Sequence, residues 1–440
     1  MADALRIGIA GLGTVGAALV RILQQRSNEL AISCGRKIEI AAVSARNRNK
    51  DRGIDLSGIA WYDEPLDLAA NADIDVYVEL VGGANGAAEA SVRAALARGL
   101  HVVTANKALL ARYGVELARI AEKNGALLNY EAAVAGGIPV IKALRESLTG
   151  NHFSRVYGIM NGTCNYILSR MEKEGLSFDE CLKDAQRLGY AEADPSFDIE
   201  GNDTAHKLAI MTTLAFGSEI AADDIYLEGI TNISIEDIRA ANELGYRIKL
   251  LGVAQKTDTG IEQRVHPTMV PLDSVIAQVD GVTNAVALES DILGELLMVG
   301  PGAGGSATAS AVLGDITDIA KSRPGAQQVP VLGRPAHLLE PYRRAQMRSH
   351  EGGYFIRLTV ADRIGVFANI ATRMADNGIS LESIVQRSQP DAEPGAPVTI
   401  ILVTHATMEE AVRNAVSAIR AEGYLVGEPQ TIRIERPKTV

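Results

Sequence analysis

Apolar positions along the first third of the chain alternate between two rhythms. Residues 5–10 (LRIGIA) form a continuous apolar run of strand length. The segment after it places Val15, Ala18, Leu19, Ile22 and Leu23 on one helical face. Further apolar runs at 38–43, 74–81, 101–104 and 126–134 predict strands, with helical patterns near 86–98 and 108–123 between them. This alternation predicts an α/β unit, a doubly wound parallel sheet covered on both faces, over residues 1–135. Between the first strand and the first helix stands Gly11-Leu12-Gly13-Thr14-Val15-Gly16. In that context Gly11 permits a tight turn, Gly13 admits a pyrophosphate to the backbone, and Gly16 lets helix and strand pack closely. The free N–H groups of the helix start then face the phosphates of a dinucleotide.

From Gly136 the rhythm changes. A helix opens at 138–142, and a strand at 156–160 ends in the turn Asn161-Gly162-Thr163-Cys164-Asn165-Tyr166. Strand-like runs near 226–233, 248–255, 263–270 and 296–299 alternate with helical or loop segments. An α+β domain on one sheet is predicted for 136–305. A second glycine loop, Gly300-Pro-Gly302-Ala-Gly304-Gly305, precedes a helix at 306–321 expected to return to the first domain. Residues 322–351, rich in Pro, Arg and Gly, read as a linker. Residues 352–440 follow as β-α-β-β-α-β, a ferredoxin-like module.

Composition narrows the function. At 440 residues and 47% hydrophobic, the chain can form two or three domains with their own cores. A net charge of -11 argues against nucleic acid as a partner. No apolar run reaches membrane-spanning length, and a strand beginning at Leu5 leaves no room for a signal peptide. Cys34, Cys164 and Cys181 lack paired spacing and fit free thiols in a reducing cytoplasm. The seven histidines show no zinc spacing.

Two stretches carry chemistry. The second strand runs into Val43-Ser-Ala-Arg46-Asn-Arg48-Asn-Lys50, with no carboxylate at its tip to hold a ribose 2′-hydroxyl. Three basic side chains suit a 2′-phosphate, so NADP is expected over NAD, which stays possible. The second stretch is Glu192-Ala-Asp-Pro-Ser-Phe-Asp-Ile-Glu-Gly-Asn-Asp203-Thr-Ala-His-Lys207. Its latter half reads as a helix, which puts Asp203 and Lys207 one turn apart on one side. Glu192, before Pro195, lies on the approach loop. Carboxylates with one amine suit a small zwitterionic substrate: the acids bind its ammonium, and the lysine exchanges a proton with its oxygen.

GLGTVG, Thr104-Ala-Asn-Lys107-Ala-Leu-Leu, Asn161-Gly-Thr-Cys-Asn-Tyr-Ile, GYAEADPSFDIEGNDTAHKL and GPGAGG, in that order, resemble homoserine dehydrogenase. The resemblance covers residues 1 to about 321, and the tail is similar to an ACT regulatory domain; no aspartokinase-like region precedes, as in the monofunctional form. It implies a Rossmann-type cofactor domain, a substrate and dimerisation domain, and interconversion of L-homoserine and L-aspartate 4-semialdehyde in threonine, methionine and isoleucine biosynthesis. It further implies Lys207 and Lys107 as the catalytic lysines, and leaves open which moves the proton. Glu192, Asp203, Gly162 and Thr163 are implied at the substrate. Residues 11–16, Arg46, Thr104, Lys107, Gly302, Gly304 and Gly305 are implied at the cofactor. Glu131, Val134, Gly136 and Ile138 would hold a monovalent cation, Na+, mostly through backbone carbonyls. A homodimer or homotetramer is implied.

In the tail, the turn carrying Asp362, Gly365 and Asn369 would free helix-start N–H groups for an effector carboxylate, with threonine the first candidate; the other reading is a dimerisation module with an empty site. Truncation after Gln346 is expected to leave a folded dehydrogenase. Two other functions compete: an acylating semialdehyde dehydrogenase using Cys164 as nucleophile, and a non-catalytic amino-acid sensor. The second is disfavoured by the presence of Glu192, Asp203, Lys107 and Lys207 together.

Overall fold

The computed structural model describes residues 3–322, 329–345, 351–387 and 396–435. Its first sheet is parallel: β1 (Leu5–Ala10), β2 (Ile38–Ser44), β3 (Ala60–Tyr62), β4 (Val76–Glu79), β5 (His101–Thr104) and β6 (Leu128–Asn129), in the order β3-β2-β1-β4-β5-β6. The order reverses between β1 and β4, so a crevice opens at the carboxyl ends of those strands. Both faces are covered, which is why β1 reads as an unbroken apolar run. One face packs Ile7, Ile9, Leu19, Leu23 and Val78 against Val312, Ile316 and Ile319 of the helix Gly305–Lys321. That helix is distant in sequence yet completes the core of the first sheet.

The strand predicted at 126–134 is cut short. β6 has two residues, and Glu131–Ala133 form a 3-10 turn. The Glu131 carboxylate explains this, because it accepts the backbone N–H groups of Ile141 and Lys142, both at 2.8 Å, and so bends the chain into the next helix.

The second sheet has eleven strands: β7 (Phe153–Ile159), β8 (Tyr226–Leu227), β9 (Tyr246–Thr257), β10 (Gly260–Pro271), β11 (Thr283–Ser290), β12 (Gly294–Pro301), β13 (Glu351–Val360), β14 (Leu381–Arg387), β15 (Val398–Thr404), β16 (Thr407–Met408) and β17 (Gln430–Ile434). They run in the order β12-β11-β7-β9-β10-β17-β13-β15-β14, with β8 beside β10 and β16 beside β13. The helices Gly162–Glu174 and Asn202–Phe216 belong to its main apolar core.

The tail folds as β-α-β-β-α-β around its own core of Tyr354, Ile356, Leu358, Ile370, Met374, Val412 and Ile419. It is not tethered loosely. β17 lies parallel to β10, with Thr268 opposite Arg433 and Met269 opposite Ile434, so one sheet spans both units. Phe355, Ile401, Val403 and Ile432 join the main core. Arg357 pairs with Asp237 at 2.5 Å, and Arg155 with Glu435 at 2.8 Å, across the seam.

Residues 329–345, inside the expected linker, form a packed strap. Val331 accepts the Tyr130 hydroxyl at 2.7 Å, Glu340 exchanges backbone bonds with Gly217 and Glu219, and Arg343 accepts from Ile261 at 2.8 Å. Its prolines hold it extended while Val331, Leu332 and Ala336 are buried. A cut after Gln346 would therefore uncover the β10 edge and leave Asp237 without its arginine. No helix among the described residues is long and apolar enough to cross a membrane.

Candidate active site

The glycines of the first turn divide the work as their geometry demands. Gly11 has φ +98°, and a Cβ there would lie 2.4 Å from the Leu80 carbonyl oxygen. A Cβ at Gly16 would lie 2.0 Å from the carbonyl of Gly11. At Gly13 a Cβ would meet nothing within 4 Å, which leaves the turn open on the side a pyrophosphate would take. The second glycine loop comes to the same place. A Cβ at Gly305 would press on Thr14 at 2.9 Å, so the helices Thr14–Gln25 and Gly305–Lys321 begin side by side. Two helix N-termini thus flank one open turn, a setting that favours an anionic ligand. Gly302 packs on the Asn284 side chain, and Gly136, at φ +56°, packs on the Gly302 carbonyl.

Arg46, Arg48 and Lys50 are exposed beyond β2. Arg52, absent from the sequence reading, braces them. Its guanidinium donates to the carbonyls of Leu12 at 3.1 Å, Lys50 at 2.8 Å and Asn47 at 2.7 Å, which ties the basic loop to the glycine turn. Thr104 is fully buried, and its hydroxyl donates inward to Glu79 at 2.6 Å. Glu79 also accepts from Val81 and Gly82 N–H at 2.8 and 2.9 Å, so one buried carboxylate stiffens the crevice wall. Asn106 then caps the helix Lys107–Lys123 by accepting from Leu109 N–H at 3.0 Å.

Lys107 is the first residue of that helix, where a cation opposes the helix dipole. Its partner comes from the other sheet's layer: Lys107 Nζ lies 3.1 Å from Asp203 Oδ1. Lys207 Nζ lies 2.7 Å from Asp203 Oδ2 and donates to the Met160 carbonyl at 2.7 Å. Asp203 and Lys207 are buried, 5% and 8% exposed, whereas the Lys107 side chain keeps 33% of its surface. Burial alone would raise the pKa of Asp203. The two lysines and the Asn161 amide overcome it and hold the carboxyl well below the usual carboxylate range. Gly201, at φ +92°, starts the helix, so Asp203 sits in its first turn with the dipole.

Asn161 links a further acid to the cluster. Its amide donates to Asp203 at 2.9 Å and to Asp198 at 2.8 Å, while its oxygen caps the helix Gly162–Glu174 through Cys164 N–H. Asp198, quoted within the motif and not singled out, is pushed up by burial and by the charge of Asp203, less the Asn161 bond. Thr163 donates to the Tyr190 carbonyl at 2.7 Å and lies 3.4 Å from Asp198. A Cβ at Gly162 would sit 2.8 Å from the Val282 carbonyl, so packing against that turn demands glycine there. Glu192 is exposed on the preceding loop, and among the described residues it makes no hydrogen bond or ion pair with the cluster.

Cys164 is fully buried, donates to the Asp198 carbonyl at 3.2 Å, and has its thiol pushed well up by burial and two carboxylates. A thiol sealed beside two carboxylates is set against ionisation, which disfavours the acylating reading. Among the described residues no group of His, Cys, Asp and Glu could hold a metal ion. The backbone around 131–138 is partly engaged: Val134 N–H reaches the Glu131 carbonyl at 3.5 Å, and Ile138 N–H donates to Ala135 at 3.0 Å. In the tail, Gly365 has φ +89°, and Asn369 donates to the Tyr424 hydroxyl at 3.1 Å, while Asp362 is exposed.

A dinucleotide crevice facing a lysine–aspartate–lysine cluster defines a nicotinamide-dependent dehydrogenase. Comparison with known proteins carries this further. The family described as homoserine dehydrogenase matches residues 139–317, its NAD binding domain 11–131, and the ACT domain 354–423. The homoserine dehydrogenase of Neisseria gonorrhoeae is 45% identical over 98% of both chains. The crystal structure of a homoserine dehydrogenase from Thiobacillus denitrificans superposes with a TM-score of 0.91 at 43% identity, covering 98% of both chains. A hyperthermophilic archaeal homoserine dehydrogenase in complex with NADPH has a TM-score of 0.63 at 28% identity; all of it matches 74% of this chain. The chain belongs to the homoserine dehydrogenase family, and is an NAD(P)-dependent oxidoreductase acting on a CH–OH group. Its tail is an ACT domain.

Proposed function

We propose that the Lys107–Asp203–Lys207 cluster is where L-homoserine and L-aspartate 4-semialdehyde are interconverted, with NADP as the preferred cofactor. The observation that carries this is the sharing of one buried carboxylate by two ammonium groups, at 2.7 and 3.1 Å, beside the glycine crevice. Residues 11–16 and Gly302, Gly304 and Gly305 would hold the cofactor, whose nicotinamide, when bound, exchanges a hydride with the substrate carbon. Lys207 is fixed by Asp203 and Met160 and exchanges the hydroxyl proton. Lys107, the more exposed amine, orients the substrate oxygen. Asp203, Asp198 and Glu192 receive the ammonium end, Glu192 by closure of its loop, and Gly162 and Thr163 shape the floor.

In this reading residues 1–135 with the helix at 306–321 serve the cofactor, 136–305 the substrate, and 352–440 regulation. Backbone carbonyls of Glu131, Val134, Gly136 and Ile138 would hold Na+. Threonine is the first candidate effector of the tail, with Asp362, Gly365 and Asn369 the turn the sequence points to. A cytoplasmic homodimer or homotetramer completes the proposal. The NADP preference rests on Arg46, Arg48 and Lys50 standing where a ribose-binding acid would be, and the archaeal relative solved with NADPH is in keeping with it.

The test is the absorbance change of reduced nicotinamide with aspartate semialdehyde, run with NADPH and NADH. NADPH should give the higher kcat/KM, and Arg46→Glu should remove most of the difference. Equal kcat/KM with both cofactors in the unaltered enzyme would refute the preference. No turnover with either would refute the assigned substrate.

A further inference from the structure

Another buried amine lies outside the Lys107–Asp203–Lys207 cluster. Lys249 sits in the apolar stretch of β9, between Ile248 and Leu250, and is 1% exposed, against 8% for Lys207. A lysine is almost never sealed this far unless partners hold it. Burial pushes its pKa down to about 8, against the pull of Asp280. All three protons of the ammonium group find acceptors. They reach the Val279 carbonyl at 2.6 Å, the Asn165 side-chain oxygen at 3.1 Å and the Asp280 carboxylate at 3.3 Å. Asn165, also 1% exposed, doubles the hold: its amide donates to the Val279 carbonyl at 3.0 Å and to the Thr283 carbonyl at 3.2 Å. Lys173 adds a surface tie to Asp280 at 2.7 Å. A methionine at 249 would fill the same space without the penalty of a sealed charge. It could not hold the segment that carries Val279 and Asp280.

That segment, 279–284, reaches both halves of the site. The Val282 carbonyl backs the turn that opens the helix Gly162–Glu174, where a Cβ on Gly162 would come within 2.8 Å of it. Two residues on, the Asn284 side chain lies against the second glycine loop, and a Cβ on Gly302 would come within 2.0 Å of it. The ladder between β11 and β12 pairs Thr283 with Pro301 and Asn284 with Gly300, so the loop takes its register from the segment. Gly305, at the end of the loop, closes in turn on Thr14 of the first glycine turn, with 2.9 Å for a Cβ. None of these contacts has room for a Cβ, so the segment has no slack at either end. Any shift of 279–284 carries the Gly162 turn relative to the Gly302 loop.

We infer that Lys249 is a positioning residue for hydride transfer: by anchoring 279–284 it fixes the spacing between the substrate turn at Gly162 and the cofactor loop at Gly302. It acts through the segment and not on the reacting atoms. This rests on the active site proposed above and goes beyond it, because it assigns the alignment of the two ligands to an amine outside the cluster. Alignment is where a small displacement weighs most: a misplacement of about 1 Å can cost roughly a hundredfold in rate. Binding of either ligand alone depends far less on the distance between them.

The experiment follows NADPH oxidation by aspartate semialdehyde in the full-length enzyme, in steady state and in a single turnover by stopped flow, well below each variant's melting temperature. Lys249→Met should slow the single turnover by about tenfold or more while both KM values stay within about twofold. Asp280→Asn, isosteric and partly exposed, should slow it in the same direction by about threefold, and it decides alone if Lys249→Met does not fold. Lys173→Met removes only the surface tie and should change the rate by less than about twofold. Lys207→Ala is run alongside. If Lys249→Met and Asp280→Asn keep the single-turnover rate, even with a lowered melting temperature or a raised KM, the amine serves the fold alone and the inference fails while the site stands. If Lys207→Ala keeps its rate as well, the assigned site fails with it.

Discussion

Two ionic clusters in this molecule are centred on groups of opposite charge. In the candidate active site one carboxylate, Asp203, is shared by two amines, Lys107 and Lys207. At the seam one guanidinium, Arg433, serves two carboxylates, Glu409 and Glu228. A lysine carries a single point charge and a proton it can surrender, whereas an arginine keeps its proton across the accessible pH range. The first arrangement therefore concentrates transferable protons beside an open crevice. The second holds two surfaces together and takes no part in proton exchange. Exposure singles out one member: Lys107 retains a third of its surface, while Lys207 at 10% is as sealed as Arg433 and Glu409 at 9% each.

The sharpest way to break this contrast is Lys207→Ala. The kcat should fall by roughly 10²- to 10⁴-fold, the size of lost acid–base catalysis, while NADPH affinity stays unchanged. A retained kcat would hand the proton to Lys107 or to water. Glu409→Ala tests the other cluster. It leaves Arg433 buried without its main partner, a loss of about 3–5 kcal/mol when a sealed pair is broken. The melting temperature should drop while kcat/KM, measured well below it, holds. A loss of kcat/KM matching that of Lys207→Ala would erase the distinction between the clusters.

The smallest effect concerns a third buried acid, Asp315, which accepts from Glu131 N–H at 2.9 Å. Burial, reinforced by the Glu131 charge, pushes its pKa up to about 8. The folded state then retains a proton that the unfolded chain has released above about pH 4, so stability declines as pH rises from there to about 8. Asp315→Asn should raise the melting temperature near pH 8 and change it little near pH 5. An equal change at both would mean that Asp315 is already ionised in the fold.

The local devices were legible because each has a local cause. Gly11 and Gly16 are read from a turn that only glycine permits, Gly13 from the room a pyrophosphate needs, and Asp203 with Lys207 from a single helical turn. Partners supplied by distant chain were not. The Met160 carbonyl leaves no side-chain signature, and Asn161 looks like an ordinary helix cap until its amide is seen between two aspartates. The inward turn of Thr104 depends on Glu79, on the neighbouring strand. β11 escaped notice because Asn284–Leu288 is buried on both faces and so lacks the alternation that marks a strand. The union of the two units through β10 and β17 was illegible for a similar reason: strand pairing across such a separation is written in edge complementarity, not in periodicity.

The helix Gly305–Lys321 has a consequence for how the chain comes to be folded. Val312, Ile316 and Ile319 close the core of a sheet whose last strand ends at Asn129. During synthesis that sheet waits with one apolar face only partly covered, by the helix Thr14–Gln25, while the whole substrate unit emerges. At ~5–20 residues per second the delay is roughly 10–35 s, long compared with the collapse of either unit. The nascent cofactor unit is thus the stage of biogenesis most exposed to aggregation and most in need of a chaperone. A chain interrupted before residue 305 would leave the ribosome with that face permanently half-covered.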